Sequence, residues 1–376
     1  MKEIYLDAAA TTPIHPQVLR TMLPYYQLHY ANPSSQHAPG QKARQAVEDA
    51  RKKVSVVLGV TPEEIIFTSG GTESVNLALQ GIALAKGKGH IITSQIEHPA
   101  VMETCHYLET KGFSVTYLPV DHSGLVSPKD IEKAIRKDTI LITIMYANNE
   151  IGTIQDLPEF GKISRKHKIL FHTDACQAGG LELEVRKLNV DLLSLNGAKI
   201  EGPKGIGILY RRSGVLLQPL IYGGGQEFGL RSGTENVPGM VGFAKALELA
   251  HQNKEKENKR QILLRDYFIQ NVLKSIPQTT LNGHPTKRLP NNINISFAGV
   301  EGEILVNYLS LEHIYVSSGS ACSSGKIEAS PVLKAIGAQH PRSSIRFSLG
   351  RDTTKEDLDR AWRVLQKIVE SLRKVR

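Results

Sequence analysis

Two short apolar runs, Ile169–His172 and Val190–Leu195, constrain the fold more than any other feature of the chain. Both are too short for a helix and are bounded by polar turns, so both predict buried strands of a parallel sheet. Asp174 follows the first run. Lys199 follows the second, with a glycine-broken turn directly behind it at Gly202, Gly205 and Gly207. Functional groups of an open α/β sheet gather beyond the carboxyl ends of its strands. This stretch is therefore expected to carry an acid and an amine into a site.

The flanking sequence supports that frame. Strand and helix patterns alternate through Glu64–Thr68, Leu77–Lys86, His90–Thr93, Ala100–Lys111, Ser114–Pro119, Pro128–Ile135, Ile140–Tyr146 and Leu157–His167. Such alternation predicts βα units and a mostly parallel sheet covered by helices on both faces. Upstream lie a short strand at Ile4–Leu6, a turn-rich lead-in at Asp7–Pro13, and helices at Pro16–Tyr26 and Gly40–Leu58. Downstream, the glycine-dense stretch Tyr222–Asn236 breaks the pattern. A helical stretch, Val241–Leu273, then leads to a smaller region with strands at Asn292–Phe297 and Ser344–Ser348 and helices near Glu301–Leu311 and Lys355–Lys374.

With 376 residues, the chain is long enough for a sizeable core and more than one domain. Its longest apolar runs, such as Ile140–Met145, are too short to span a bilayer. The N-terminus shows no secretory signal, and the expected compartment is the cytoplasm. Three cysteines without a CxxC pair exclude a disulfide framework and argue against structural zinc. The formal charge of +9 is spread along the chain, with a modest cluster at Lys254–Arg260 that reads as a solvated helix face rather than a nucleic-acid surface.

An amine and an acid at adjacent strand ends suit pyridoxal phosphate (PLP), which needs a lysine for its Schiff base and an acid at its pyridine nitrogen. Ser69-Gly-Gly-Thr72-Glu73 follows a strand and opens a helix, the setting in which backbone N–H groups and a hydroxyl cradle a phosphate. His98 lies just beyond His90–Thr93, where an imidazole can stack on a flat cofactor or carry a proton. Asn148 and Asn149 follow Ile140–Tyr146 and offer amides to a phenolic oxygen. Arg346, in Ser344-Ile-Arg-Phe-Ser, carries the planar fork that captures a carboxylate; an internal ion pair is the alternative. Cys322 sits among small polar residues in Ser317–Lys326, a setting for a reactive thiol. Cys105 and Cys176 read as packed thiols. Dinucleotide and P-loop motifs are excluded, since Gly202-Pro-Lys-Gly-Ile-Gly207 reverses the glycine order and Gly319–Lys326 has the wrong spacing.

The order of these signals is more specific than any one of them. T-S-G-x-T-E-S, E-H, N-N-E-I-G, H-x-D-A-x-Q, K-I-x-G-P-K-G-I-G, G-G-G-x-E-x-G-x-R-S-G-T, S-S-G-S-A-C and S-S-I-R-F-S-L-G-R together closely resemble the cysteine desulfurases of the NifS/IscS type, in the class V aminotransferase superfamily. The resemblance runs from Tyr5 to about Leu372. It implies an α/β chain of PLP-dependent transferase fold type I: a large PLP-binding domain over residues 15–255, and a smaller α+β domain of residues 1–14 and 256–376 that carries the cysteine loop.

The resemblance also implies the roles. Lys199 holds PLP and moves protons, Asp174 pairs with the ring nitrogen, and His98 stacks on the ring. Gln177 and Asn149 lie near its phenolic oxygen, and Gly71, Thr72 and Asn196 hold the phosphate. Thr234 reaches the phosphate of a second subunit in a homodimer. Asn32 and Arg346 hold the carboxylate of L-cysteine, and Cys322 takes its sulfur as a persulfide while L-alanine leaves. The implied acceptor is an iron–sulfur scaffold or a tRNA-thiolation enzyme. The alternatives are a selenocysteine-lyase-like enzyme and a non-catalytic sulfur-relay subunit.

Two departures stand out. Asn196-Gly-Ala198-Lys199 replaces the family's usual Ser-x-His-Lys, which removes one phosphate contact and one possible proton carrier. The sequence also stops at Arg376, without the C-terminal extension that helps longer members dock a scaffold protein.

Overall fold

The computed structural model describes residues 2–318 and 329–374. Its main sheet has seven strands: β2 (Ile65–Thr68), β3 (His90–Ser94), β4 (Ser114–Leu118), β5 (Thr139–Thr143), β6 (Leu170–Asp174), β7 (Leu192–Asn196) and β8 (Gly207–Arg211). Their spatial order is β2-β8-β7-β6-β5-β3-β4. Pairings from β7 across to β4 are all parallel, whereas β8 runs antiparallel to both β7 and β2. The chain is thus α/β with a mostly parallel sheet. Strands β2, β3 and β8 are buried along nearly their whole length, and separate apolar clusters cover the two faces. That double burial explains why these strands read as apolar runs rather than alternating patterns.

A further apolar cluster surrounds a small antiparallel sheet of β9 (Thr279–Leu281), β10 (Asn292–Phe297) and β12 (Ser344–Ser348), in the order β12-β10-β9. Beside it β1 (Ile4–Tyr5) pairs in parallel with β11 (Ile314–Tyr315), so the N-terminus belongs to this cluster. One 39-residue helix, Val237–Ser275, joins the two bodies. Its first turns bury Met240, Phe243 and Leu247 in the main core, and its last turns bury Phe268, Ile269 and Val272 in the small one. The polar middle of this helix spans the distance between cores. Asn236 caps its start, accepting the Gly239 N–H at 3.1 Å.

Several boundaries differ from expectation for identifiable reasons. The stretch Pro16–Tyr26 forms two helices, Pro16–Met22 and Pro24–Gln27, because Pro24 cannot donate a helical hydrogen bond and opens its own turn. The helix expected from Leu77 begins six residues earlier, at Gly71. Strands β6 and β7 end on Asp174 and Asn196, so Asp174 is itself the last strand residue.

Candidate active site

The residues expected to hold a cofactor lie along the carboxyl edge of the main sheet. Strand β2 runs into Ser69-Gly70, and the helix Gly71–Lys86 starts from a glycine N-cap with φ 151° and no side-chain cap. Its first-turn N–H groups are therefore left for an anion, at the positive end of a 16-residue helix. Gly71 is required by space: a Cβ there would stand 2.5 Å from the Cys176 Sγ. Asn196 faces the same point, with its Nδ2 3.7 Å from that Cβ position. Its Oδ1 is occupied by the Ala198 N–H at 3.1 Å, so the amide presents its donor end to the turn. Thr72, in the first turn, is itself exposed.

Asp174 is 8% exposed and accepts the Cys176 N–H at 2.9 Å, which fixes its carboxylate at the strand end. Below it, His172 bridges the Thr143 hydroxyl at 2.8 Å and the Ser194 hydroxyl at 3.0 Å, tying β5, β6 and β7 together. His98 caps the helix Pro99–Thr110, its Nδ1 accepting the Ala100 N–H at 3.1 Å. This leaves the proton of the neutral ring on Nε2. Burial holds the imidazole below its ordinary pKa; Asp174 pulls it up and Lys199 down, so the three groups share one field.

Lys199 donates to the carbonyl of Ala9 at 2.8 Å and also to that of Ala10. The Gln177 amide reaches the same Ala9 oxygen at 3.0 Å. Thr12 continues the contact, donating its N–H and hydroxyl to the Ala198 carbonyl at 2.9 and 3.0 Å. Residues 7–12 thus cross the site as a strap. Beyond the strap a cavity of about 390 Å³ reaches Lys199 and Gln177, but none of Gly71, His98, Asp174 or Arg346.

Arg346 stands on β12, 4% exposed. Its Nη1 donates to the Asn149 carbonyl at 3.0 Å and its Nη2 to the Asp7 carboxylate at 2.8 Å, while its buried Nε has no partner among the described residues. The anticipated alternative, an internal ion pair, is therefore present as well. Ser317 pairs with Arg346 backbone to backbone, and the Ser330 hydroxyl donates to Glu150 at 2.6 Å. Burial pushes the Glu150 carboxyl up to about 7, against the opposing pull of Ser330 and Arg346. Both flanks of the segment containing Cys322 are thus fixed beside Arg346, although Cys322 lies outside the described residues.

The geometry therefore groups Gly71, Asn196 and Asp174 around Cys176, His98 with Asp174 and Lys199, Lys199 with Gln177, and Arg346 with Asn149. Two expected residues, Asn32 and Thr234, stand apart. No hydrogen bond joins Asn32 to Arg346 among the described residues; the exposed Asn32 closes a local turn by accepting the Ser34 N–H at 2.8 Å. Thr234 is exposed, on a loop anchored from below by the buried pair Arg51–Glu227 at 2.6 Å. Asn149 contributes its carbonyl, whereas the buried Asn148 side chain binds the Ile96 carbonyl and the turn amides of Glu150 and Ile151.

Sequence reasoning missed the strap 7–12, whose partners lie far along the chain, from Gln177 and Lys199 to Arg346 and Ser348. It also missed Glu97, fully enclosed beside His98. The Glu97 carboxylate accepts the Ser94 hydroxyl at 2.6 Å and the Met145 N–H at 3.0 Å, and burial pushes it up to about 8. The thiols of Cys105 and Cys176 are raised, chiefly by burial: Cys105 to about 12, and Cys176, further raised by Asp174, well above its ordinary value. Both shifts disfavour the thiolate, the nucleophilic form of a cysteine.

The aminotransferase class-V family model matches residues 4–361, and the chain belongs to that family. It is 53% identical to the cysteine desulfurase IscS of Dictyoglomus turgidum, over all of this chain and 96% of that protein. It is 46% identical to the human cysteine desulfurase, over all of this chain and 83% of that protein. Among solved structures, a NifS-like protein superposes with a TM-score of 0.93 at 41% identity, over 98% of this chain and 100% of that one. A structure described as SspA in complex with cysteine gives a TM-score of 0.80 at 39% identity, over 93% of this chain and 99% of that one.

Proposed function

We propose that this enzyme is a cysteine desulfurase that converts L-cysteine to L-alanine and passes the sulfur to a persulfide on Cys322. The observation that carries the reading is the pairing of two anchors across one site. A cofactor edge carries Lys199, and a buried Arg346 with an unsatisfied Nε lies beside both flanks of the Cys322 segment.

The residues fit PLP. The uncapped helix start at Gly71, with Asn196 and Thr72 beside it, would hold the phosphate. Asp174 would hold the pyridine nitrogen, His98 the ring face, Gln177 and Asn149 the phenolic edge, and Lys199 the covalent attachment. When bound, PLP supplies the electron sink for charge developing at the substrate carbon.

Around that group, Arg346 and Asn32 orient the substrate carboxylate, and Lys199 moves the proton at Cα. The Cys322 thiolate attacks the substrate sulfur. The C–S bond breaks, an S–S bond forms, and the carbon left behind takes up a proton to give alanine. Residues 15–255 form the cofactor domain, and residues 1–14 with 256–376 form the domain bearing Cys322.

In a homodimer Thr234 reaches the partner's phosphate, and an acceptor protein of cluster assembly or tRNA thiolation removes the sulfur. No helix among the described residues is long and apolar enough to cross a membrane, which suits a cytoplasmic enzyme. After one turnover without acceptor, mass spectrometry is expected to find the Cys322 peptide heavier by one sulfur atom. An unmodified Cys322 with sulfur already released as sulfide would overturn the relay.

A further inference from the structure

We propose that Asp7 is a resident counter-ion of Arg346, orienting its guanidinium and weakening its hold on the carboxylate of an amino-acid ligand. The inference rests on the reading of Arg346 as the carboxylate anchor and extends it to a residue of the N-terminal strap.

The contact is built into the small sheet. The Ala8 N–H donates to the Ser348 carbonyl at 3.2 Å and the Ala9 N–H to the Ser348 hydroxyl at 2.9 Å, while the Ser348 N–H donates to Leu6 at 2.7 Å. Ser348 lies two residues beyond Arg346 on β12, so their side chains share one face of the strand. The strand that carries the arginine also fixes the backbone of the aspartate. The two terminal nitrogens of Arg346 are then committed, one to the Asn149 carbonyl and one to Asp7, and the plane of the fork is set. The buried Nε remains without a partner among the described residues. A buried unsatisfied donor is costly, and a ligand oxygen relieves it.

A ligand carboxylate arriving at Nε shares one cation with the carboxylate of Asp7. Like charges that close disfavour one another. Asp7 therefore opposes the incoming anion while holding its receptor in place. That balance suits a site that must bind substrate and release product of the same carboxylate type in every turnover.

Asp7→Asn separates the two effects, since the amide keeps an oxygen for Nη2 and loses the charge. Calorimetric titration of the PLP-loaded enzyme with L-alanine is expected to give about tenfold tighter binding for Asp7→Asn, with a matching fall in KM for L-cysteine. Asp7→Ala, which removes the anchor as well as the charge, is expected to bind alanine more weakly than Asp7→Asn. Melting temperatures identify any variant that has lost its fold. A folded Asp7→Asn protein that binds alanine no better than wild type overturns the proposal, provided that Arg346→Ala abolishes alanine binding. Undiminished binding by Arg346→Ala instead overturns the assignment of Arg346, and the proposal with it.

Discussion

The two anion-binding ends of the site are built on opposite principles. At the proposed phosphate end the donors are backbone amides at a helix start, kept open by glycine; an acidic contact, Glu73 accepting the Ser69 N–H at 2.8 Å, falls on the loop just before it. At the carboxylate end the donor is one buried guanidinium already shared with Asp7. Backbone amides on a rigid helix hold their geometry without a ligand and suit a group that stays. A side-chain cation with its own counter-ion suits one that exchanges at each turnover. The difference is in keeping with the proposal that cofactor binds at one end and substrate at the other.

The largest effect is expected from Arg346→Ala. Truncating a buried charge partner typically costs about 2–5 kcal/mol, so kcat/KM for L-cysteine should fall by roughly a thousandfold while PLP affinity holds; steady-state kinetics and a cofactor titration measure the two separately. Equal loss of both would merge the ends. Adding the missing contact at the other end comes next. Ala198→His should tighten PLP by about tenfold, in line with about 1.5–3 kcal/mol for a hydrogen bond to a charged group, with KM for cysteine little changed. Failure of wild type to bind PLP, with binding restored by Ala198→His, would show that the remaining phosphate donors are insufficient.

Gly71→Ala should weaken PLP by a few-fold, because the new methyl meets Cys176 Sγ at 2.5 Å. Removing the obstacle in Gly71→Ala/Cys176→Ala should recover most of the loss, and a cofactor titration of both proteins reads the cycle.

The smallest effect is on pH-dependent stability. The folded pKa of Glu97, about 8, lies above its ordinary 4.5. The native state therefore holds this proton through a range where the unfolded chain has lost it. Its contribution to stability is full at low pH and is lost as pH rises from about 4.5 to about 8. Melting temperatures of Glu97→Gln should decline less over that window. Glu150, at about 7, has the same sign and leaves a residual slope below that pH.

What could be read in the sequence follows this contrast. The cofactor edge was legible because strand ends, glycine turns and the residues that follow them are local features: Asp174, Lys199 and Gly71 all announce themselves within a few positions. The helix start at Gly71 was placed late, because Gly-Gly-Thr-Glu-Ser has weak helix propensity and only tertiary packing fixes it as a first turn. The carboxylate end was half legible. Arg346 stood out as a charge in an apolar strand, but Asp7 lies 339 positions away and meets it only through the pairing of the N-terminus with the small sheet. Glu97 was hidden for another reason. Beside His98 it reads as an ordinary charged loop residue, and only the folded structure encloses it.

The most direct test of the whole account is alanine released from L-cysteine by the PLP-loaded enzyme, wild type against Cys322→Ala. Alanine from the wild type and almost none from the variant is the expected result, with Arg346 presenting the substrate and Cys322 taking its sulfur. Equal alanine from both proteins would contradict it.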